Sequence, residues 1–130
     1  MQDDLGKLVL RVTVGGLLIL HGMRKLLNGI EPIQAMVAAH NIPSVVAYGV
    51  YLGEIVGPAM VILGLFARIG GALIVVNMVV AVALVGMGQL FALNPMGGYA
   101  LELEAFFLLG GLSVMLLGAG RYSIGGGRWN

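Results

Sequence analysis

Four long apolar runs constrain this chain more than any other feature. They extend over about Leu8–Leu27, Ser44–Phe66, Ile69–Leu93 and Tyr99–Gly118. A hydrocarbon core of about 30 Å takes roughly 17–25 mostly apolar residues of helix to cross, and each run meets that length. In lipid the backbone must satisfy its own hydrogen bonds, so a span is a helix or part of a closed barrel. The runs lack the alternating pattern of a barrel. The expectation is an all-α integral membrane protein. It is one domain over residues 1–130, a four-helix transmembrane bundle with a short helix in the first extracytoplasmic loop.

Composition agrees with lipid as the solvent. Of 130 residues 59% are hydrophobic and only 10% charged, whereas soluble domains carry about a quarter charged residues. A net charge of +1 and the lack of a basic patch interleaved with aromatics point away from nucleic acid. There is no cysteine, so disulfides, thiol redox chemistry and cysteine-ligated clusters are excluded. The first run has no small-residue cleavage site after Leu27, and His21, Arg24 and Lys25 interrupt its end; it reads as a retained span rather than a signal peptide.

The only sizeable connection is Asn28–Pro43. Pro32 suits the first turn of a short helix, which Asn41 and Pro43 would end. Ile33, Met36, Val37 and His40 share a face of that helix, suited to the membrane interface or to capping the bundle. The turn between the second and third runs is expected at Ala67-Arg68. With both termini in the cytoplasm, Lys7, Arg11, Arg68, Arg121 and Arg128 lie inside, against Arg24 and Lys25 outside, which satisfies the positive-inside rule. Arg11, Arg68 and Arg121 would then bind the anionic inner surface. Gly53 and Gly57 form a GxxxG pair. Such a pair serves close packing within one chain or, alternatively, a homo-oligomer interface.

Ionisable residues at membrane depth are costly and mark functional positions. At about 1.5 Å per residue, His21 falls in the outer part of the first span and Glu54 near the middle of the second. Glu102 and Glu104 fall in the first turns of the fourth, and Gln89 near the outer end of the third. Tyr51 and Glu54 lie on consecutive turns, and His21 and Lys25 are four apart. A ligand pocket opening outward and lined by His21, Lys25, Tyr51, Glu54 and Glu102 follows. Glu102 and Glu104, two apart, cannot both face inward, and Glu102 is taken as the inward one. Asn77, mid-way along the third span, reads as interhelical glue. His40 lies in the loop, so it cannot face His21 across the bundle as bis-histidine haem requires. No metal-binding spacing, nucleophile triad, phosphate loop or dinucleotide fingerprint is present. Catalytic residues are therefore not assigned, and no metal or covalently bound cofactor is expected.

The ordered motifs resemble the DoxX family of small bacterial membrane proteins over nearly the whole chain. They are Arg11 with Gly15, His21-Gly22 and Lys25-Leu26 in the first span, then Gly53-Glu54, Gly57, Leu63-Gly64-Leu65 and Arg68. Gly97-Gly98-Tyr99 with Glu102 follow. The ending Gly118-Ala119-Gly120-Arg121-Tyr122-Ser123 has alanine where the family commonly has proline. The resemblance implies a four-helix fold in the bacterial inner membrane. The family takes its name from a small subunit of a thiosulfate:quinone oxidoreductase, and other members are associated with oxidative-stress defence and membrane redox complexes. It has no agreed catalytic set. The motif positions carried over are Arg11, His21, Lys25, Glu54, Arg68, Glu102 and Arg121.

The function expected on this basis is a redox-associated, quinone-linked membrane subunit with no self-contained catalytic motif. His21 or Lys25 would donate to a quinone oxygen, Glu54 or Glu102 would exchange protons, and an oxidoreductase partner subunit would supply electrons. The alternatives are a non-enzymatic membrane scaffold and an oligomeric protein transporting a small solute or protons.

Overall fold

The computed structural model describes residues 2–86, 88, 91–93 and 95–130; Gln89, expected near the outer end of the third span, and Asn94 lie outside them. Among the described residues the chain is helical, with no strand and one isolated bridge between Leu93 and Tyr99. Helix α1 is Gln2–Asn28 and α2 is Glu31–Ala39. A 3-10 segment, Ser44–Gly49, and a π-helical turn, Leu52–Val56, run into α3, Gly57–Leu63. Helix α4, Ala67–Ala81, continues as a second π-helical turn, Val82–Gly86, and α5 is Glu102–Leu117. Three continuous helical stretches, Gln2–Asn28, Ser44–Leu63 and Ala67–Leu84, are long and apolar enough to cross a membrane.

Packing is organised around α4, which contacts both α3 and α5, while α1 lies across α3 and α5. Val14, Leu18, Val61, Ile74, Met78, Phe107 and Val114 form the shared core. Large apolar side chains such as Leu17, Leu20, Val76, Phe106 and Leu116 point outward, as lipid-facing residues do. The helices approach through glycine. A Cβ on Gly71 would lie 2.6 Å from the Gly111 carbonyl oxygen, and one on Gly57 3.0 Å from that of Gly70. Gly53 and Gly57 therefore face α4 of the same chain, the close-packing use of the GxxxG pair.

The turn between α3 and α4 comes earlier than Ala67-Arg68. Gly64 takes a left-handed conformation (φ 70°) after Leu63. Its N–H reaches the Val61 carbonyl at 3.3 Å and that of Leu65 reaches Met60 at 2.9 Å, the double closure that ends a helix at glycine. Phe66 is also left-handed (φ 49°), and α4 begins at Ala67.

Arg11 corrects a second expectation. It is 1% exposed and does not meet the membrane surface. Its guanidinium donates to the carbonyls of Val61 (2.9 Å), Ile62 (3.0 Å), Ala119 (2.8 Å) and Tyr122 (2.8 Å). A helix leaves its last four carbonyls without partners, and a cation there also complements the helix dipole. Arg68 does the same for α5, donating to Met115 at 3.0 Å and Leu116 at 2.9 Å. The segment after Gly118 completes this end. Ile124 and Gly125 donate to Leu63 and Gly64, each at 3.0 Å, and Asn130 Oδ1 and the Trp129 carbonyl accept from the first N–H groups of α4.

Candidate functional site

At the opposite end of the bundle the buried charge is a carboxylate. Glu54 sits in the π-helical turn and is 5% exposed. Pro58 explains the turn: it has no N–H to give the Glu54 carbonyl four residues back. The Gly57 N–H instead reaches the Leu52 carbonyl, five residues back. Gly22 packs directly on the freed Glu54 carbonyl, where any Cβ would collide. Glu54 is thereby held level with Gly22, about 9 Å along α1 from Asn28.

Lys25, one turn beyond Gly22, reaches back and forms an ion pair with Glu54 Oε1. Asn77 of α4 donates Nδ2–H to Oε2 at 3.2 Å, and its side chain rests on Gly53. Both carboxylate oxygens are therefore engaged from two other helices. A buried charge needs such pairing to offset lost hydration. The Tyr51 hydroxyl donates to the Lys25 carbonyl at 3.4 Å and its ring packs with the cluster of Ile30, Val37 and Ala47. Tyr51 thus fastens the end of α1 on which Lys25 stands.

This cluster borders a cavity of about 410 Å³, within the usual range for a small-molecule site. Its walls are apolar: Ile33, Met36 and Val37 of α2, Val46 and Val50, and Leu73, Val76 and Val80 of α4. Lys25, Glu54 and Asn77 form its polar corner, and among the described residues no other ionisable side chain lines it. Val46, Leu52, Val76 and Val80 are each about half exposed, so the cavity opens sideways from the bundle, beneath α2. Both π-helical turns border it, through Leu52, Gly53, Glu54 and Leu84. Such turns recur at functional sites because they displace side chains from regular helical register.

The structure brings Lys25, Tyr51 and Glu54 together and leaves His21 and Glu102 elsewhere. Four residues on a helix advance the direction by about 40°. His21 accordingly points toward α5, edge-on to Phe107 at 5.6 Å, while the Leu17 carbonyl accepts from its Nδ1–H at 3.1 Å. Glu102 is exposed and lines a separate groove with Thr13, Phe106, Leu109 and Ser113 between α1 and α5. Glu104, not Glu102, is the more buried of that pair. Asn77 joins the site as a direct partner of Glu54. The signal for it in the sequence is its depth, mid-span and level with Glu54. Among the described residues no three His, Cys, Asp or Glu side chains are placed to share a metal ion.

The sequence matches the DoxX family model over residues 6–87, which holds Arg11, Lys25, Glu54 and Asn77. A Bacillus subtilis (strain 168) protein named "Putative oxidoreductase CatD" is 30% identical over 105 residues, covering 81% of this chain and 78% of that protein. No solved structure matches.

Proposed function

Because the chain belongs to the DoxX family, we propose that it is a redox-associated membrane subunit that binds a quinone in the cavity bordered by Lys25, Glu54 and Asn77. The observation carrying this reading is the form of that cavity. It is apolar, opens sideways from helices that cross a membrane, and ends in one small cluster of hydrogen-bonding groups. A flat apolar ring would enter from the bilayer and stop with a carbonyl at the cluster. The name of the Bacillus subtilis relative supports the same class of chemistry.

A quinone supplies two-electron redox chemistry when bound. The chain's own part is to hold it. Lys25 gives one of its three ammonium N–H groups to Glu54 and keeps two for a ring oxygen. Glu54 and Asn77 fix the lysine, and the walls exclude water. An oxidoreductase partner subunit supplies the electrons. In this reading α5 is a fourth crossing. It lies against α4 and α1, and its 16 residues span about 24 Å. The end holding Lys7, Arg68, Arg121 and Arg128 faces the cytoplasm of a bacterial inner membrane, and the cavity then lies toward the outer leaflet.

The test is purification from native membranes in mild detergent, with mass spectrometry of proteins and extracted lipids together. Co-purification of an oxidoreductase subunit and about one quinone per chain is expected. Recovery of the chain with phospholipid alone would overturn the reading.

A further inference from the structure

The charges bordering the cavity cancel. Among the described residues Lys25 and Glu54 are its sole ionisable lining residues, and they are paired with each other. A ligand carboxylate that took Lys25 would compete with Glu54 and strand a carboxylate that is 5% exposed. A ligand ammonium that took Glu54 would strand Lys25 in the same apolar corner. Either outcome leaves one unpaired charge at membrane depth, where the cost is several times that of a hydrogen bond. A neutral acceptor meets no such cost. It can take the remaining Lys25 N–H groups while the ion pair stays closed.

From this geometry we infer that the Lys25–Glu54 pair is a charge filter: the cavity admits amphiphiles whose polar end is an uncharged hydrogen-bond acceptor and refuses both fatty-acid-like anions and alkylammonium cations. The inference deepens the quinone reading, since it concerns the same cavity, but it rests on the pair and not on any redox step. It also predicts how selectivity moves when the pair is broken. Glu54→Gln leaves Lys25 without its anion and converts the corner to an anion site. Lys25→Met leaves Glu54 and converts it to a cation site. The double variant has neither charge and should hold neither ion.

The experiment measures equilibrium uptake of three radiolabelled probes by protein in lipid nanodiscs, with empty nanodiscs subtracted. The probes are decyl-benzoquinone, laurate and dodecyltrimethylammonium. Wild type should take up only the quinone above background. Laurate affinity should rise about tenfold or more in Glu54→Gln, and dodecyltrimethylammonium affinity likewise in Lys25→Met, as expected for one freed charge. Both gains should vanish in the double variant.

Saturable laurate or alkylammonium uptake by wild type, displaced by the quinone, overturns the filter. So does the lack of any gain in single variants that fold, and in that case quinone binding by wild type leaves the proposed function standing. If wild type ignores the quinone, the admitting half of the filter and the quinone reading fall together, even where the variants gain charged ligands. Should a single variant fail to accumulate, wild type decides: quinone uptake with neither ion supports the filter, and saturable uptake of either ion overturns it.

Discussion

The two ends of this bundle bury one charge each and do opposite things with it. Arg11 spends its guanidinium on four backbone carbonyls from two segments far away in sequence. It is 1% exposed. Glu54 is nearly as buried, but its partners are the side chains of Lys25 and Asn77, and a cavity begins beside them. Carbonyls cannot leave or change charge, so the Arg11 end is fixed in one arrangement. Side-chain partners can be shared with a ligand, so the Glu54 end can bind. In the proposed reading the backbone-satisfied charge serves architecture and the side-chain-satisfied charge beside the cavity serves binding.

That contrast breaks most visibly at Arg11. Replacement by Met leaves four carbonyls without their donor and should destabilise the protein by about 3–5 kcal/mol. Arg11→Lys should rescue little, because an ammonium cannot reproduce the planar fork of donors. Thermal melts in detergent and abundance in membranes would show both effects. If Arg11→Met melts like wild type, that end does not depend on the arginine.

Glu54 should cost less in stability. Glu54→Gln strands a Lys25 side chain that is 30% exposed, with an expected loss of about 1–3 kcal/mol. Lys25→Met combined with Glu54→Gln should recover part of that loss, because a matched neutral pair replaces a broken ionic one. A double variant no more stable than the sum of the singles would mean that the two residues do not act as a pair.

Gly22 sharpens the comparison because it serves the site through the backbone. Gly22→Ala forces a Cβ into the Glu54 carbonyl. About 1–3 kcal/mol of overpacking is expected, together with separation of α1 from the π-helical turn. Quinone affinity should fall further than stability does, a difference measurable by comparing uptake with melting temperature on the same sample.

The smallest effect should come from His21. Its edge-on contact with Phe107 is worth about 0.5–1.5 kcal/mol, and it lies outside the cavity. His21→Ala should therefore lower the melting point slightly and leave quinone-induced stabilisation intact. Loss of that stabilisation would return His21 to the site.

Much of this was legible in sequence because membranes make length and polarity strong signals. Three of the membrane-length helical stretches and the proximity of Lys25, Tyr51 and Glu54 follow from spacing and depth. What depth could not supply was direction around each helix. His21 and Lys25 share a face by counting, yet the 40° between them sends one to α5 and the other to the π-helical turn that holds Glu54. Glu102 and Glu104 separate by spacing only as a pair of opposites, and the choice of Glu102 as the inward one is reversed: Glu104 is the more buried. Arg11 reads as a surface cation until one knows that Val61, Ile62, Ala119 and Tyr122 end their segments around it.

The most direct test of the division between a fixed end and a binding end is photo-crosslinking with a diazirine-bearing quinone in lipid nanodiscs, followed by peptide mapping. Adducts should concentrate on the cavity walls, on the stretch containing Ile33, Met36 and Val37 and on that containing Leu73, Val76 and Val80. Excess unlabelled quinone should suppress them, and Lys25→Met should reduce them. Adducts spread evenly over the outward faces of α1 and α5, or gathered in the groove beside Glu102, would contradict the assignment of the Lys25–Glu54 end as the site.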